Sequence, residues 1–300
     1  MLKDISEKVA HLRTLTDIDA LTEGEKNSKR SIRSYFRINH VFYRRFHSEE
    51  GFMHFRVTKG ESMTDADLYY QPDVVSRHIK PGARVLELGF GQGANLRYLA
   101  AKHPDASFTG VDLLPPEKKE FPENVTLIKG DYTSLPQLGS CSFDVIFGIE
   151  TIVYCSDKVK LFKEMARLLK PSGVFIIYDY YLDRPFETFT EDERTAITLI
   201  SKCGAGAMIE PREKWEGDMA KAGLRVESFE DLSEETLPDL ERLARKAARV
   251  LEDHPRSARA MFRLAPRHFT NNVIIGYLGF DACRDGIMSY PEWVCRRGSR

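Results

Sequence analysis

The chain is short of the features that mark several protein classes. Its 300 residues include only five cysteines, Cys141, Cys155, Cys203, Cys283 and Cys295, and none forms a Cys-x-x-Cys pair. An odd count without such pairs argues for free thiols in a reducing compartment, hence a cytoplasmic protein, and against a zinc site or other bound metal. Charge of one sign is missing too, since 44 basic and 45 acidic residues leave a formal net charge of −1. No overall field therefore favours nucleic acid, and no Asn/Asp-Pro-Pro-Tyr motif for flipped bases occurs. No apolar run approaches the length of a membrane span, and the opening MLKDISEKVAHL has no apolar signal-peptide core. Internal repeats and low-complexity tracts are absent. A small molecule is the partner these absences leave, with a homodimer still open.

What is present centres on residues 84–101, RVLELGFGQGANLRYLAA. Val85-Leu86-Glu87-Leu88 has strand composition. Gly89, Gly91 and Gly93 follow at alternate positions, and Leu96, Leu99 and Ala100 then fall on one helical face. Strand, glycine turn and helix place unpaired N–H groups and a positive dipole end at the carboxyl end of a strand, where open α/β sheets bind ligands. Gly89-x-Gly91-x-x-Ala94 formally fits the loose dinucleotide fingerprint. Glu87 points elsewhere, because a carboxylate two residues before the first glycine suits an ammonium group and repels a pyrophosphate.

Further along, Ser107–Val111 predicts a second strand ending at Asp112, about twenty residues past the glycine turn, where an acid accepts hydrogen bonds from ribose hydroxyls. A third strand, Val125–Lys129, runs into Gly130-Asp131-Tyr132. The fourth, Phe143–Ile149, runs into Glu150-Thr-Ile-Val-Tyr154. Asp157 caps a helix that Lys170-Pro-Ser-Gly173 ends, and Gly173–Tyr178 is a fifth strand. Glu191–Ile200 and Glu210–Ala222 read as helices, 222–229 as a sixth strand, Leu237–Leu251 and Asn271–Cys283 as helices, and Trp293–Arg296 as a short seventh strand.

Upstream of the core, Val9, Leu12, Leu15 and Ile18 have helical spacing. From Ser31 to Phe46 the pattern sharpens. Ile32, Tyr35, Phe36, Phe42, Tyr43 and Phe46 share one face, and Arg30, Arg33, Arg37 and Arg44 lie largely on another, with no acid between Lys26 and Ser48. Such a basic face is either solvated or an anion-binding wall. Residues 47–55 and 69–72, rich in histidine and aromatics, read as a lid over the site.

The Glu-x-Gly-x-Gly-x-Gly run, the acid at Asp112, Asp131-Tyr132 and the Leu-Leu-Lys-Pro-x-Gly run together resemble the class I S-adenosylmethionine (SAM) methyltransferases over about residues 80–182. The resemblance implies a Rossmann-like α/β fold: a seven-stranded sheet with an antiparallel terminal strand, plus an added helical cap. The expected division is a helical lid at 1–78, a SAM-binding core at 79–235, a helical cap insertion at 236–290 and a terminal strand at 291–300. The implied cofactor is SAM. Glu87 would face its amine, Gly89, Gly91 and Gly93 would form its cradle, Asp112 would hold its ribose and Asp131 its adenine amino group. Tyr132 would pack on the adenine ring, with Leu113 and Ile149 beside it.

Phe42-Tyr43, Gly51-Phe-Met-His54-Phe55, Glu150 and Gly286-Ile-Met-Ser-Tyr290 loosely resemble the sterol and prenyl C-methyltransferases. The expected reaction is C-methylation of an isoprenoid alkene, with Glu150 quenching a carbocation that aromatic rings stabilise. Arg33 and Arg37 would meet an anionic substrate such as a prenyl diphosphate, and Tyr35, Tyr43, Phe46, Tyr70, Tyr154 and Tyr180 would wall the chamber. The alternative is O- or N-methylation of a small natural product, with His47 or His54 as base.

Overall fold

The computed structural model describes residues 3–22, 28–116 and 120–298, with side chains at these positions other than 22 and 40–46. Tyr43 and Phe46, expected in the substrate wall, lie outside the described side chains, as do Phe42 and Arg44.

Three helices lead: α1 (Ile5–Leu15), α2 (Ile18–Thr22) and α3 (Lys29–Phe46). Asp4 caps α1 in a capping box with Glu7, and the apolar stripe Ile5, Val9, Leu12 and Leu15 is buried. A loop and α4 (Tyr70–Ser76) lead into β1 (Arg84–Leu88). Next come α5 (Ala94–Lys102), β2 (Ser107–Asp112), β3 (Val125–Lys129), β4 (Phe143–Ile149) and α6 (Lys158–Leu168), the last capped by the Asp157 side chain as its sequence predicts. β5 (Leu169–Tyr178) starts directly out of α6, earlier than the Lys-Pro-Ser-Gly stop signals imply, because Leu169 already pairs with Phe143 ahead of a register shift. Then follow β6 (Tyr181–Leu182), α7 (Glu191–Cys203), α8 (Arg212–Lys221), β7 (Leu224–Asp231) and α9 (Ser233–Leu251). Last are α10 (Pro255–Leu264), α11 (Arg267–Arg284), β8 (Met288–Ser289) and β9 (Pro291–Arg297).

The main sheet has the order β3-β2-β1-β4-β5-β9-β7. Five strands, β3 to β5, are parallel, and β9 is antiparallel to both its neighbours. The last strand in sequence thus slots between the fifth and seventh positions rather than lying at the edge. The burial of β1, β4 and β5 is nearly continuous, as expected for parallel strands covered on both faces. The strand order turns about β1 and β4, and their carboxyl ends form the crevice where such sheets bind ligands.

Above that crevice α1, α2, α7, α9, α10 and α11 build a second core with Leu12, Ile197, Leu240, Ile274 and Leu278, and α3 packs on α11. One polar pair is sealed inside it. Lys8, fully buried, contacts the Asp281 carboxylate, donates to the Tyr277 carbonyl at 2.7 Å and lies over the Tyr277 ring. Truncating Lys8 leaves the buried Asp281 carboxylate with only the partly exposed Arg284, at 3.0 Å. Lys8→Ala is therefore expected to destabilise the protein by about 3–5 kcal/mol, read as a lower urea midpoint; an unchanged midpoint would show that water reaches the pair. All five cysteines are free. No described helix is long and apolar enough to cross a membrane.

Candidate active site

A cleft of about 1040 Å³ opens at the carboxyl ends of β1 and β4, between the sheet, α3 and the segment 51–54. Its floor is the glycine turn. Gly89 has φ +62°, and a Cβ there would lie 1.9 Å from the Thr151 hydroxyl oxygen. Gly91 has φ +53°, and its Cβ would meet the Met53 sulfur at 2.8 Å. Only glycine permits this backbone and this approach. Gly93 forms the N-cap of α5 and backs onto Phe121 instead of facing the cleft.

Glu87 is the most informative side chain. It is 2% exposed, and its Oε1 accepts from Asn95 Nδ2 at 3.0 Å. Its Oε2 has no hydrogen-bond partner. Burial pushes the carboxyl up to about 8, with Asn95 only partly opposing and Asp112 adding to the rise. A buried carboxylate oxygen at the edge of a cleft and without a donor suits a cationic ligand group. Asp112 ends β2, and its two oxygens accept from Gly91 N (2.9 Å) and Leu114 N (2.7 Å), which ties the acid to the turn. Burial raises its pKa. Asp131 follows β3. Burial pushes it up, but Lys29 at 2.5 Å and the Thr133 N–H more than offset this and hold it low. Tyr132 donates its hydroxyl to the Thr151 carbonyl at 2.7 Å, which fixes the ring on the cleft wall. Leu113 and Ile149 line the same wall.

Glu150 leaves β4 with φ +49°, a conformation a non-glycine residue adopts at a cost of about 1–3 kcal/mol. Its N–H donates to the Tyr178 carbonyl at 2.7 Å, so the strand pairing with β5 holds the bend. Glu150 lines the cleft, and its carboxylate accepts from Phe55 N at 2.7 Å and hydrogen-bonds Tyr290. Burial pushes it up to about 8, the Phe55 N–H opposes and Asp179 adds to the rise.

Arg33, Arg37 and Tyr154 also line the cleft, the two arginines exposed at its mouth, and Tyr154 meets Phe36 edge-on at 5.2 Å. Other expected residues point elsewhere. Tyr35 is 2% exposed and donates to Asn272 Oδ1 at 2.8 Å, so its ring belongs to the packing of α3 on α11. Tyr70 packs against the sheet's core with Lys59 over its ring. Tyr180 is sandwiched between Phe55 and Tyr290, its hydroxyl unpartnered behind Glu150. His47 bonds the His54 carbonyl at 2.6 Å and faces Arg242, and burial lowers its pKa to about 4. It does not reach the cleft, which corrects its candidacy as a base. His54 does reach it, but Nδ1 meets the Phe55 carbonyl and Nε2 meets Asn95 Oδ1, each at 3.2 Å. Both partners are acceptors, so the ring, whose pKa burial lowers, donates its one N–H to one of them and holds its other nitrogen against the second oxygen rather than toward a substrate proton.

Asn95, Lys29 and Thr151 are the site residues the sequence did not disclose. Asn95 carried a usable signal, a polar side chain on the buried face of the helix after the glycine turn. Lys29 carried none, because its bond to Asp131 joins residues about a hundred positions apart.

Comparison with known proteins bears on this geometry. Residues 86–177 match the family model described as a methyltransferase domain. The sterol 24-C-methyltransferase of Yarrowia lipolytica is 26% identical over 193 residues, 59% of this chain and 49% of that protein. The 27-O-demethylrifamycin SV methyltransferase of Amycolatopsis mediterranei is 24% identical over 213 residues, 67% of this chain and 76% of the relative. The matched stretch thus spans about half the length of the sterol relative. Among solved structures, the cyclopropane synthase MmaA2 from Mycobacterium tuberculosis superposes with a TM-score of 0.72 at 15% identity, over 90% of this chain and 98% of that one. The geranyl diphosphate C-methyltransferase from Streptomyces coelicolor A3(2) superposes with a TM-score of 0.61 at 16% identity, over 88% and 98%. At these identities the structural likenesses establish the fold.

The sheet order and the glycine turn are those of the class I SAM-dependent methyltransferases, residues 86–177 match a methyltransferase domain, and the cofactor these findings support is SAM. In sequence it is similar to the sterol 24-C-methyltransferase, and in fold to the geranyl diphosphate C-methyltransferase.

Proposed function

We propose that the protein transfers a methyl group to carbon of an isoprenoid alkene, a prenyl diphosphate or a related small molecule, with Glu150 as the base. The observation that carries this reading is the Glu150 carboxylate, held by a strained backbone on the cleft wall and pushed up to about 8 by burial.

Bound SAM would supply an electrophilic methyl carbon. In this reading Glu87 holds the ammonium group through its unpartnered oxygen, Asp112 the ribose hydroxyls and Asp131 the adenine edge. Tyr132, Leu113 and Ile149 supply the apolar wall. The substrate's π electrons form the new carbon–carbon bond as the sulfur–methyl bond breaks, leaving a tertiary cation on the substrate. The ring faces of Phe36, Phe52 and Tyr154 stabilise that cation. Glu150 then takes a proton from the adjacent carbon, and the double bond reforms. A raised pKa favours this role, because the base accepts the proton readily and returns it to solvent near neutral pH. Holding the partners together and excluding water does the rest.

Arg33 and Arg37 at the cleft mouth support an anionic substrate. Arg33→Ala and Arg37→Ala are expected to raise KM for a prenyl diphosphate roughly ten-fold or more, with kcat little changed. KM for a neutral prenol should stay put. Equal effects on both substrates would remove the anion-binding role. The O- or N-methylation reading keeps the support of the rifamycin-tailoring relative, but His47 lies off the cleft and both His54 nitrogens sit against protein oxygens.

A further inference from the structure

We propose that α10, with the adjoining ends of α9 and α11, docks the protein onto an anionic lipid surface. α10 is a poorly covered helix, with Ala258 its one buried residue. From residue 249 to 267 five arginines are exposed, Arg249, Arg256, Arg259, Arg263 and Arg267, against one exposed acid, Asp253. None of the five forms an ion pair among the described residues, and Arg259 and Arg267 donate to the Thr14 and Ala20 carbonyls at 3.0 and 3.3 Å. Arg256, Arg259 and Arg263 follow at i, i+3 and i+7, so they form one stripe on the side away from Ala258. In a protein whose net charge is −1, this is a marked local excess.

The apolar exposure coincides with it. Two large hydrophobic side chains stand out as exposed among the described residues, Val250 at 41% and Leu264 at 85%. Both lie on this surface, one at the end of α9 and one at the end of α10. Cations around projecting aliphatic side chains match a bilayer with anionic headgroups, where the charges meet phosphates and the aliphatic groups enter the acyl boundary. A nucleic acid would be served by the cations but not by an isolated leucine. The surface runs on to His268, which bonds the Ser34 hydroxyl of α3 at 3.0 Å, and α3 carries Arg33 and Phe36 into the cleft. The docking surface is thus joined through α11 to the helix that borders the cleft. Docking stands independently of the substrate reading.

The test is co-sedimentation of the purified protein with vesicles of phosphatidylcholine alone or mixed with phosphatidylserine, at low and raised salt. Pelleting with the mixed vesicles alone, weakened by salt, is expected. Each basic residue near such a surface is worth about a five-fold factor, so Arg249→Glu, Arg256→Glu and Arg263→Glu together should cut partitioning on the order of a hundred-fold. Leu264→Asp should cut it about ten-fold. Thermal unfolding checks that both variants fold, and methyl transfer to a soluble substrate should be unaffected. No pelleting with the mixed vesicles, or pelleting that survives the triple change, overturns the proposal. Binding to heparin as strong as to the vesicles, and indifferent to Leu264, would reassign the surface to soluble polyanions and overturn it equally.

Discussion

Glu150→Gln lowers kcat by about 10²–10⁴-fold and leaves SAM affinity nearly intact. The amide keeps the shape and can still accept from the Phe55 N–H, so the bend after β4 and the segment at 55 stay in place. What it loses is the ability to take a proton. The measurement is single-turnover methyl transfer alongside calorimetric titration of SAM. Activity that survives would move the base elsewhere, and lost SAM affinity would mean that Glu150 belongs to the cofactor's grip. A pH profile adds a second reading. Glu150 acts when ionised, so kcat rises with pH through its pKa. That pKa is about 8 in the cofactor-free protein, and the sulfonium charge draws it lower in the loaded one. The acid limb of kcat should therefore sit below the value seen by titrating the free protein, and above the ordinary carboxylate range of about 4.

Glu87→Gln weakens SAM binding by roughly 30- to 5000-fold, the range for removing one partner of a desolvated charge pair. The change leaves a buried amide where a carboxylate oxygen lacked a donor. Proton bookkeeping makes the test specific. Without ligand the Glu87 pKa is about 8, so at neutral pH the carboxyl is mostly protonated. An ammonium group favours the ionised form. SAM binding should then release close to one proton at about pH 7, seen as a binding enthalpy that varies with the buffer's ionisation enthalpy. Glu87→Gln should abolish that release. Stability carries the same signature in the cofactor-free protein. Glu87 and Glu150 both have folded pKa values raised to about 8 from an ordinary 4.5. Their contribution is fully present below the unfolded value and is lost as pH rises through the folded one. The unfolding midpoint should fall between mildly acid and mildly alkaline pH, less steeply in Glu87→Gln, and saturating SAM should restore much of it. A midpoint equally steep in the variant would assign the trend to other groups.

Much of the sheet is legible in the sequence, for a physical reason. A parallel strand covered on both faces is a compact apolar run between sharp stop signals, so Phe143–Ile149 can be read to the residue, and Ser107–Asp112 and Val125–Lys129, less buried toward the sheet edge, are read from their apolar and β-branched residues. The glycine turn is legible because its steric demand is local: Thr151 and Met53 crowd positions where any side chain would clash. Long-range choices are not legible. Nothing local says that β9 enters between β5 and β7, or that the two-residue strands β6 and β8 find each other. α10 is hard to read because its apolar stripe, Ala258, Met261 and Phe262, is barely more than one turn long between basic residues. The aromatic wall shows the same limit. Helical spacing puts Tyr35 and Phe36 together on one face of α3, but it cannot say which neighbour each will meet. Asn272 claims Tyr35 for the packing of α11, while Phe36 reaches the cleft. His47 and His54 sit in one irregular segment with equal claim on sequence, and only the positions of Arg242, Asn95 and Phe55 separate them.

The methyl acceptor is decided most directly by incubating the protein with isotope-labelled SAM and a panel of prenyl diphosphates, sterols, phenols and amines, followed by mass spectrometry of the products. A label bonded to carbon of an isoprenoid, gained as one CH2 unit and absent with Glu150→Gln, is the predicted result. A label found on oxygen or nitrogen, and still transferred by that variant, would contradict it.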